Sequence, residues 1–360
     1  MKISDKNYNR KDLLQRVGNI HQLGGTRHYV LSDGRAKGIA AVDFDCGTGF
    51  RFTVLPDRGM DISLASFKGL NLVHQTANGE VHPAYFDPYG LGWLRTFFAG
   101  LLTTCGLTYL GGPVKDGDED LGAHGRQSTN PASQVCDLSR WEEDEYVLEL
   151  SGVMDETVLF GDKIRLTRTI TSRIGARSVA IHDVAENFGY KTSPFTILYH
   201  INPGFPLLDA CSRLMLTVKQ TRGCDDHSAG NISKMLQFSD PVPGFHEENY
   251  HHVVAADPNG DAWAGMINPD LGLALYIRWD ARVLPFMNEW KMMGQGDYVV
   301  GMEPCNVPCE DRVSLRKSGM LQHIEPGEKK EFNVEIGVLE GGPEIEAFLK
   351  CVDWVIGGSK

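Results

Sequence analysis

Three stretches hold side chains able to move protons near neutral pH. GMEPCNVPCEDR (301–312) holds Glu303, DLGAHGRQS (120–128) holds His124, and FTILYHINPGF (195–205) holds His200. A carboxylate between Met302 and Pro304 is partly desolvated, which raises its pKa toward the range of a useful general base. A histidine framed by Gly122 and Gly125 belongs on a turn, where its ring can reach a cleft. His200 ends an apolar run and precedes a Pro-Gly-Phe-Pro turn, which places it at the mouth of a sheet. Each residue also has a plain structural reading: a turn glutamate bonded to local backbone, a surface-loop histidine, a satisfied edge histidine. The residues alone leave these alternatives open.

Other groups carry less. HEENYHH (246–252) has three histidines and two carboxylates, but a tyrosine stands where HExxH needs its second histidine. It reads as a polar loop, and no metal site is assigned, although a metal-dependent isomerase or lyase would draw on it. Cys305 and Cys309 are spaced CxxxC with no second knuckle, so they read as buried small hydrophobes. In LPDRGMDI (55–62), Asp57 and Arg58 could pair locally. In GWLRTFFAGLL (92–102), Arg95 is a single charge that should be paired or face a cavity, and Trp93 could stack on a sugar face or fill core. No GxGxxG or GxxxxGK[ST] stands in a strand–helix context, so dinucleotide and P-loop functions fall away.

The elements that must position these residues are mostly strands. Glycines at short intervals separate runs such as RFTVLP, YVLELSGVM, FTILYHI and YVVGME. In KIRLTRTITSR, Ile164, Leu166 and Ile170 share one face, interrupted by Arg168, while the other face is polar. That two-residue period, repeated between turn signals, predicts an all-β protein, a large antiparallel β-sandwich with a few short helices. Pro304 is expected to end the strand that delivers Glu303. Helices are expected at 9–18, 92–102 and 343–356. The expected organisation is an N-terminal appendage, 1–25, and a single β-sandwich domain, 26–360. The 360 residues are 42% hydrophobic and 23% charged, ample for a large core, and the net charge of −12 argues against a nucleic-acid partner. The polar N-terminus lacks a signal-peptide h-region and no apolar run is long enough to span a bilayer, so a cytoplasmic protein without membrane association is expected. Eight scattered cysteines fit a reducing compartment.

In chain order, the three proton-moving stretches resemble the galactose mutarotase (aldose 1-epimerase) superfamily. LGAHGR is similar to the loop that carries that family's first active-site histidine. SVAIHDVAENFGYKTSPFTILYHINPGF is similar to the segment whose ends are matched here by Asn187 and His200. GMEPCNVP is similar to the family's LEPQxxPD segment, with cysteine where the family has glutamine after the proline. LPDRGMDI, GLLTTCGL and GMEP also occur in divergent aldose-epimerase-like proteins, and the likeness spans about residues 50–340. The resemblance implies a galactose mutarotase-like sandwich that interconverts sugar anomers, with Glu303 as general base and His200 as general acid. It implies His124 and, more weakly, Arg95 as sugar-binding residues; Trp93 stays a candidate stacking surface on the reading given above. The family's sugar-contacting aspartate has no clear equivalent among Glu247, Glu248, Asp280 and Glu289; Glu289 is carried forward as the candidate. It implies a small-molecule carbohydrate as partner and no cofactor. A homodimer stays open, as does a non-catalytic carbohydrate-binding protein on the same fold.

Overall fold

The alternation read in KIRLTRTITSR is realised in the strand Lys163–Arg173, where every second side chain is buried. This computed structural model describes residues 2–3 and 6–358. Lys163–Arg173 lies inside a nine-stranded sheet that runs in space Ser133–Asp137, Glu145–Thr157, Lys163–Arg173, Ser178–Asn187, Lys329–Glu340, Leu273–Asp280, Asp261–Asn268 and Arg213–Leu216, with Arg140–Glu142 also paired to Glu145–Thr157. A six-stranded sheet runs Val218–Gly223, Glu248–Val254, Phe286–Met293, Tyr298–Cys305, Thr196–His200 and Thr103–Leu107. A five-stranded sheet collects Gly25–Val30 through Leu70–Asn71. All the strand pairings are antiparallel. The antiparallel β-sandwich expected from the sequence is therefore the fold, and its main core is filled by inward-facing residues of all three sheets, among them Phe52, Leu166, Met302 and Ile336.

Arg168, the interruption noted in the apolar face, is the joint between the sheets. It is fully buried, and it reaches both oxygens of Asp183 at 2.9 and 2.7 Å, Asp61 Oδ1 at 2.9 Å and Thr104 Oγ1 at 2.9 Å. Asp61 starts a strand of the five-stranded sheet and Thr104 lies in the six-stranded one. Tyr199, next to His200, donates to Asp183 Oδ2 at 2.8 Å. Asp57 and Arg58 do not pair. Arg58 is buried and donates to the carbonyls of Val81, Thr96 and Ser128, while Asp57 accepts from Ala40 N. A guanidinium satisfied by three carbonyls ties down the loops beside Trp93 and Phe97.

The helices differ from expectation in detail. The first is only Arg10–Leu14, capped by Asn9. Only Gly92–Arg95 of the second forms, as a 3-10 turn that stops at Thr96 with φ −122°; further on, Ala99 and Gly100 take positive φ. The third runs Gly342–Gly358 and packs Phe348, Val352 and Val355. Among the described residues, no helix is long and apolar enough to cross a membrane.

Candidate active site

The strand Tyr298–Cys305 runs between Phe286–Met293 and Thr196–His200. Its Tyr298, Val300 and Met302 enter the main core, so Gly301, Glu303 and Cys305 face the other side. The same parity puts His200 on that outer face beside Leu198, and Asn288 and Trp290 beside Asn249. Loops rich in aromatic residues cover this face and form a second apolar cluster of Trp93, Phe97, Cys105, Leu198 and Cys305. Pro304 does not end the strand, which continues through Cys305. Its missing N–H falls instead on the side of Thr196–His200, where pairing is reduced to Leu198 with Cys305 and Ile201 with Met302. The ladder is thus open next to His200.

Glu303 and His200 meet at the bottom of a pocket of about 330 Å³. His200 Nε2 lies 3.2 Å from Glu303 Oε1, with both side chains almost wholly buried. Glu303 Oε2 accepts from Asn288 Nδ2 at 2.8 Å, and Oε1 is in no hydrogen bond. Gly301 makes room for the pair: a Cβ there would sit 2.2 Å from Glu303 Oε1 and 3.0 Å from His200 Cε1. Burial pushes the Glu303 carboxyl up to about 8, against the opposing pull of the Asn288 hydrogen bond. Burial also holds His200 well below the ordinary histidine value, with nearby His124 adding to the effect. Burial thus favours the protonated carboxyl and the neutral imidazole.

His124 lies in the same pocket. Its backbone takes φ 56°, and the loop is held there by Gly106 N to His124 O and His124 N to Gly111 O. Its ring sits 4.6 Å from the Trp93 ring and 6.3 Å from that of His200, and burial pushes its pKa down to about 4. Trp93 also lines the pocket, stacks on Phe97 and donates to Ser128 Oγ at 3.0 Å. Trp290 completes the aromatic wall at 5.6 Å from the His200 ring, and its indole N–H donates to Glu247 Oε2 at 2.8 Å. Cys224 and Cys309 line the pocket as thiols; burial raises both, as it does Cys305, which leaves them poor nucleophiles.

Two expected site residues lie elsewhere. Arg95 does not line the pocket: the 3-10 turn carries its side chain outward, 77% exposed, with Asp87 3.9 Å away. Glu289 has the parity of Met287 and Met293, so it faces the opposite side of the sheet and is buried 3.2 Å from His252 Nε2. Of the carboxylates considered for sugar contact, Glu247 is the one that lines the pocket. Asn288, Trp290, Asn249 and Phe97 were missed; for the residues of FMNEWKMM the available signal was parity, since core-facing methionines oblige Asn288 and Trp290 to face the other way. HEENYHH is not a loop throughout: Glu248–Val254 is a strand that sends His251 and His252 to opposite faces. Among the described residues, no three His, Cys, Asp or Glu side chains are grouped to hold a metal ion.

A larger hollow of about 800 Å³ crosses the outer face of the five-stranded sheet. Its Asp43 is already held by Tyr29 and Thr53, and it has no comparable acid–base pair. The smaller pocket is where chemistry is possible: a proton acceptor and donor in contact, a second imidazole nearby, flat aromatic walls, and a carboxylate at the rim. Such walls and polar groups suit a small, flat polyol.

The sequence profile described as Domain of unknown function (DUF4432) matches residues 36–338. No curated protein matches the chain. Among solved structures, a Klebsiella pneumoniae protein provisionally described as an aldose 1-epimerase is similar with a TM-score of 0.87 and 21% identity, over 94% of this chain and 93% of that one. A galactose mutarotase-like protein from Clostridium acetobutylicum gives 0.64 and 13%, over 89% and 99%. A galactose 1-epimerase from Lactobacillus acidophilus gives 0.55 and 13%, over 89% and 100%. At these identities the likeness establishes the fold: a galactose mutarotase-like β-sandwich.

Proposed function

The chain belongs to the DUF4432 family, and we propose that it is an aldose 1-epimerase-like isomerase, interconverting the α and β anomers of a free sugar. The observation that carries this reading is the Glu303–His200 pair at the floor of an aromatic-walled pocket. Anomer exchange needs the proton of the anomeric hydroxyl removed and the ring oxygen protonated. The C1–O5 bond then breaks to an open-chain aldehyde, C1–C2 rotates, and the ring closes on the other face. Opening and closing swap the acid and base roles.

A pair that shares one proton suits that exchange. Glu303 removes the hydroxyl proton when the shared proton rests on His200, and His200 delivers it to the ring oxygen. The reverse distribution serves closure. Because the two groups are in contact, the sugar must lie over the pair rather than between its members, with His124 on its far side and Trp93 or Trp290 against its apolar face. Glu247 at the rim accepts from sugar hydroxyls. No step calls for a cofactor.

The test is polarimetry of freshly dissolved pure anomers of common aldoses with purified protein. Acceleration that is lost on Glu303→Gln, by on the order of 10²–10⁴-fold, supports the reading. No acceleration with any aldose would sink it. Sugar-dependent thermal stabilisation without turnover, unchanged in Glu303→Gln, would instead favour a non-catalytic binding protein.

A further inference from the structure

Asn288 is the only side chain that hydrogen-bonds Glu303 among the described residues, and it does so from the directly opposite register position on the neighbouring strand. It is 3% exposed. Its Nδ2 is committed to Glu303 Oε2, while its own Oδ1 is buried with no partner. An unsatisfied buried acceptor works against folding. Here the orientation serves the glutamate.

The donor also fixes geometry. By holding Oε2, Asn288 leaves Oε1 as the free oxygen, and Oε1 is the one beside His200 Nε2 and over Gly301. A hydrogen bond donated to a carboxylate favours its ionised form. The groups facing Glu303 otherwise supply little that would do so. His200 comes from Thr196–His200, Glu247 from the segment before Glu248–Val254, and Glu289 from Asn288's own strand on the other face. Cys105, Cys305 and Cys309 are thiols raised by burial, and His251, the register neighbour of Asn288 on its other side, is buried and held uncharged.

We propose that Asn288 is the positioning residue for the catalytic base: its amide holds Glu303 Oε2 and so turns Oε1 toward His200. This rests on the reading of Glu303 as the base. Asn288 acts through Glu303, so its loss should change when the base ionises more than how tightly sugar binds.

The experiment compares wild type, Asn288→Leu and Asn288→Ser in two ways. In the first, kcat and KM for anomer exchange are followed against pH. Removing a hydrogen bond to a charged group should move the ionisation midpoint up by about one to two pH units. At pH 7, kcat should then fall by roughly 10–100-fold and recover as the pH is raised, with KM nearly constant. In the second, difference infrared spectra isolate the protonated-carboxyl band that Glu303→Gln removes, and its titration should show the same upward shift. An unmoved midpoint with a uniform loss of kcat, or a raised KM alone, overturns the proposal, as does failure of both variants to fold. If wild type exchanges no anomers, the function reading fails, and the infrared titration still decides whether Asn288 tunes Glu303.

Discussion

Glu303 and His200 are each buried in the form that carries no charge, and this has consequences for stability as well as catalysis. The Glu303 carboxyl titrates at about 8 in the folded chain against 4.5 for an ordinary glutamate. Its contribution to folding is therefore complete below pH 4.5 and is lost as the pH rises through 8. Glu303→Gln cannot ionise, so it should be more stable than wild type at pH 9, by on the order of a few kcal/mol, with the gap closing toward pH 5. Urea unfolding at the two pH values checks this; equal gaps at both would contradict the burial argument. His200 has the opposite sign: its folded value is depressed, so its contribution is present above pH 6.5 and is lost on acidification. At this scale the sequence revealed the chemistry but not its support. Glu303, His200 and His124 stand out as titratable groups at apolar or glycine-framed positions. Asn288 carries no such mark, because an amide becomes informative only once the register places it opposite a carboxylate.

Strand parity decides which carboxylate can touch a ligand. Glu289 and Glu247 are close in space to the same strand pair, yet one lies behind the sheet with His252 and the other on the pocket rim with Trp290. Glu247→Gln should raise KM about tenfold with little change in kcat, since it removes a charged acceptor for sugar hydroxyls. Glu289→Gln should leave KM unchanged and lower Tm. Steady-state kinetics beside melting curves separates the two, and the reverse pattern would mean that the site lies on the other face. Gly301→Ala tests the same sheet from the middle. Its Cβ would meet Glu303 Oε1 and His200 Cε1, so kcat should drop on the order of 10²-fold while the β-sheet circular dichroism spectrum is retained. The strands themselves were legible from their period. Glu289 is misplaced because charge alone does not say which face of FMNEWKMM is inward: Met287 and Met293 share its parity and enter the core, but Met292 does not. Pro304 misled for a related reason: proline normally ends a central strand, but here the ladder simply omits one bond beside His200.

The sandwich as a whole was legible because alternating runs separated by glycine turns leave few other architectures. How three sheets share one core was not, since that depends on contacts far apart in sequence. Arg168 is the exception in part: a lone cation on an apolar face announces a buried partner, but only the fold names Asp61 and Asp183. Losing one member of such a group strands the others, and Arg168→Met should destabilise by about 3–5 kcal/mol. The same contacts bear on cooperativity. Each sheet gives or receives a bond through one guanidinium, so melting any one of them takes a partner from this buried group. Wild type should show a single calorimetric transition with equal van't Hoff and calorimetric enthalpies. Arg168→Met should broaden or split it, as sheets once obliged to unfold together begin to do so separately.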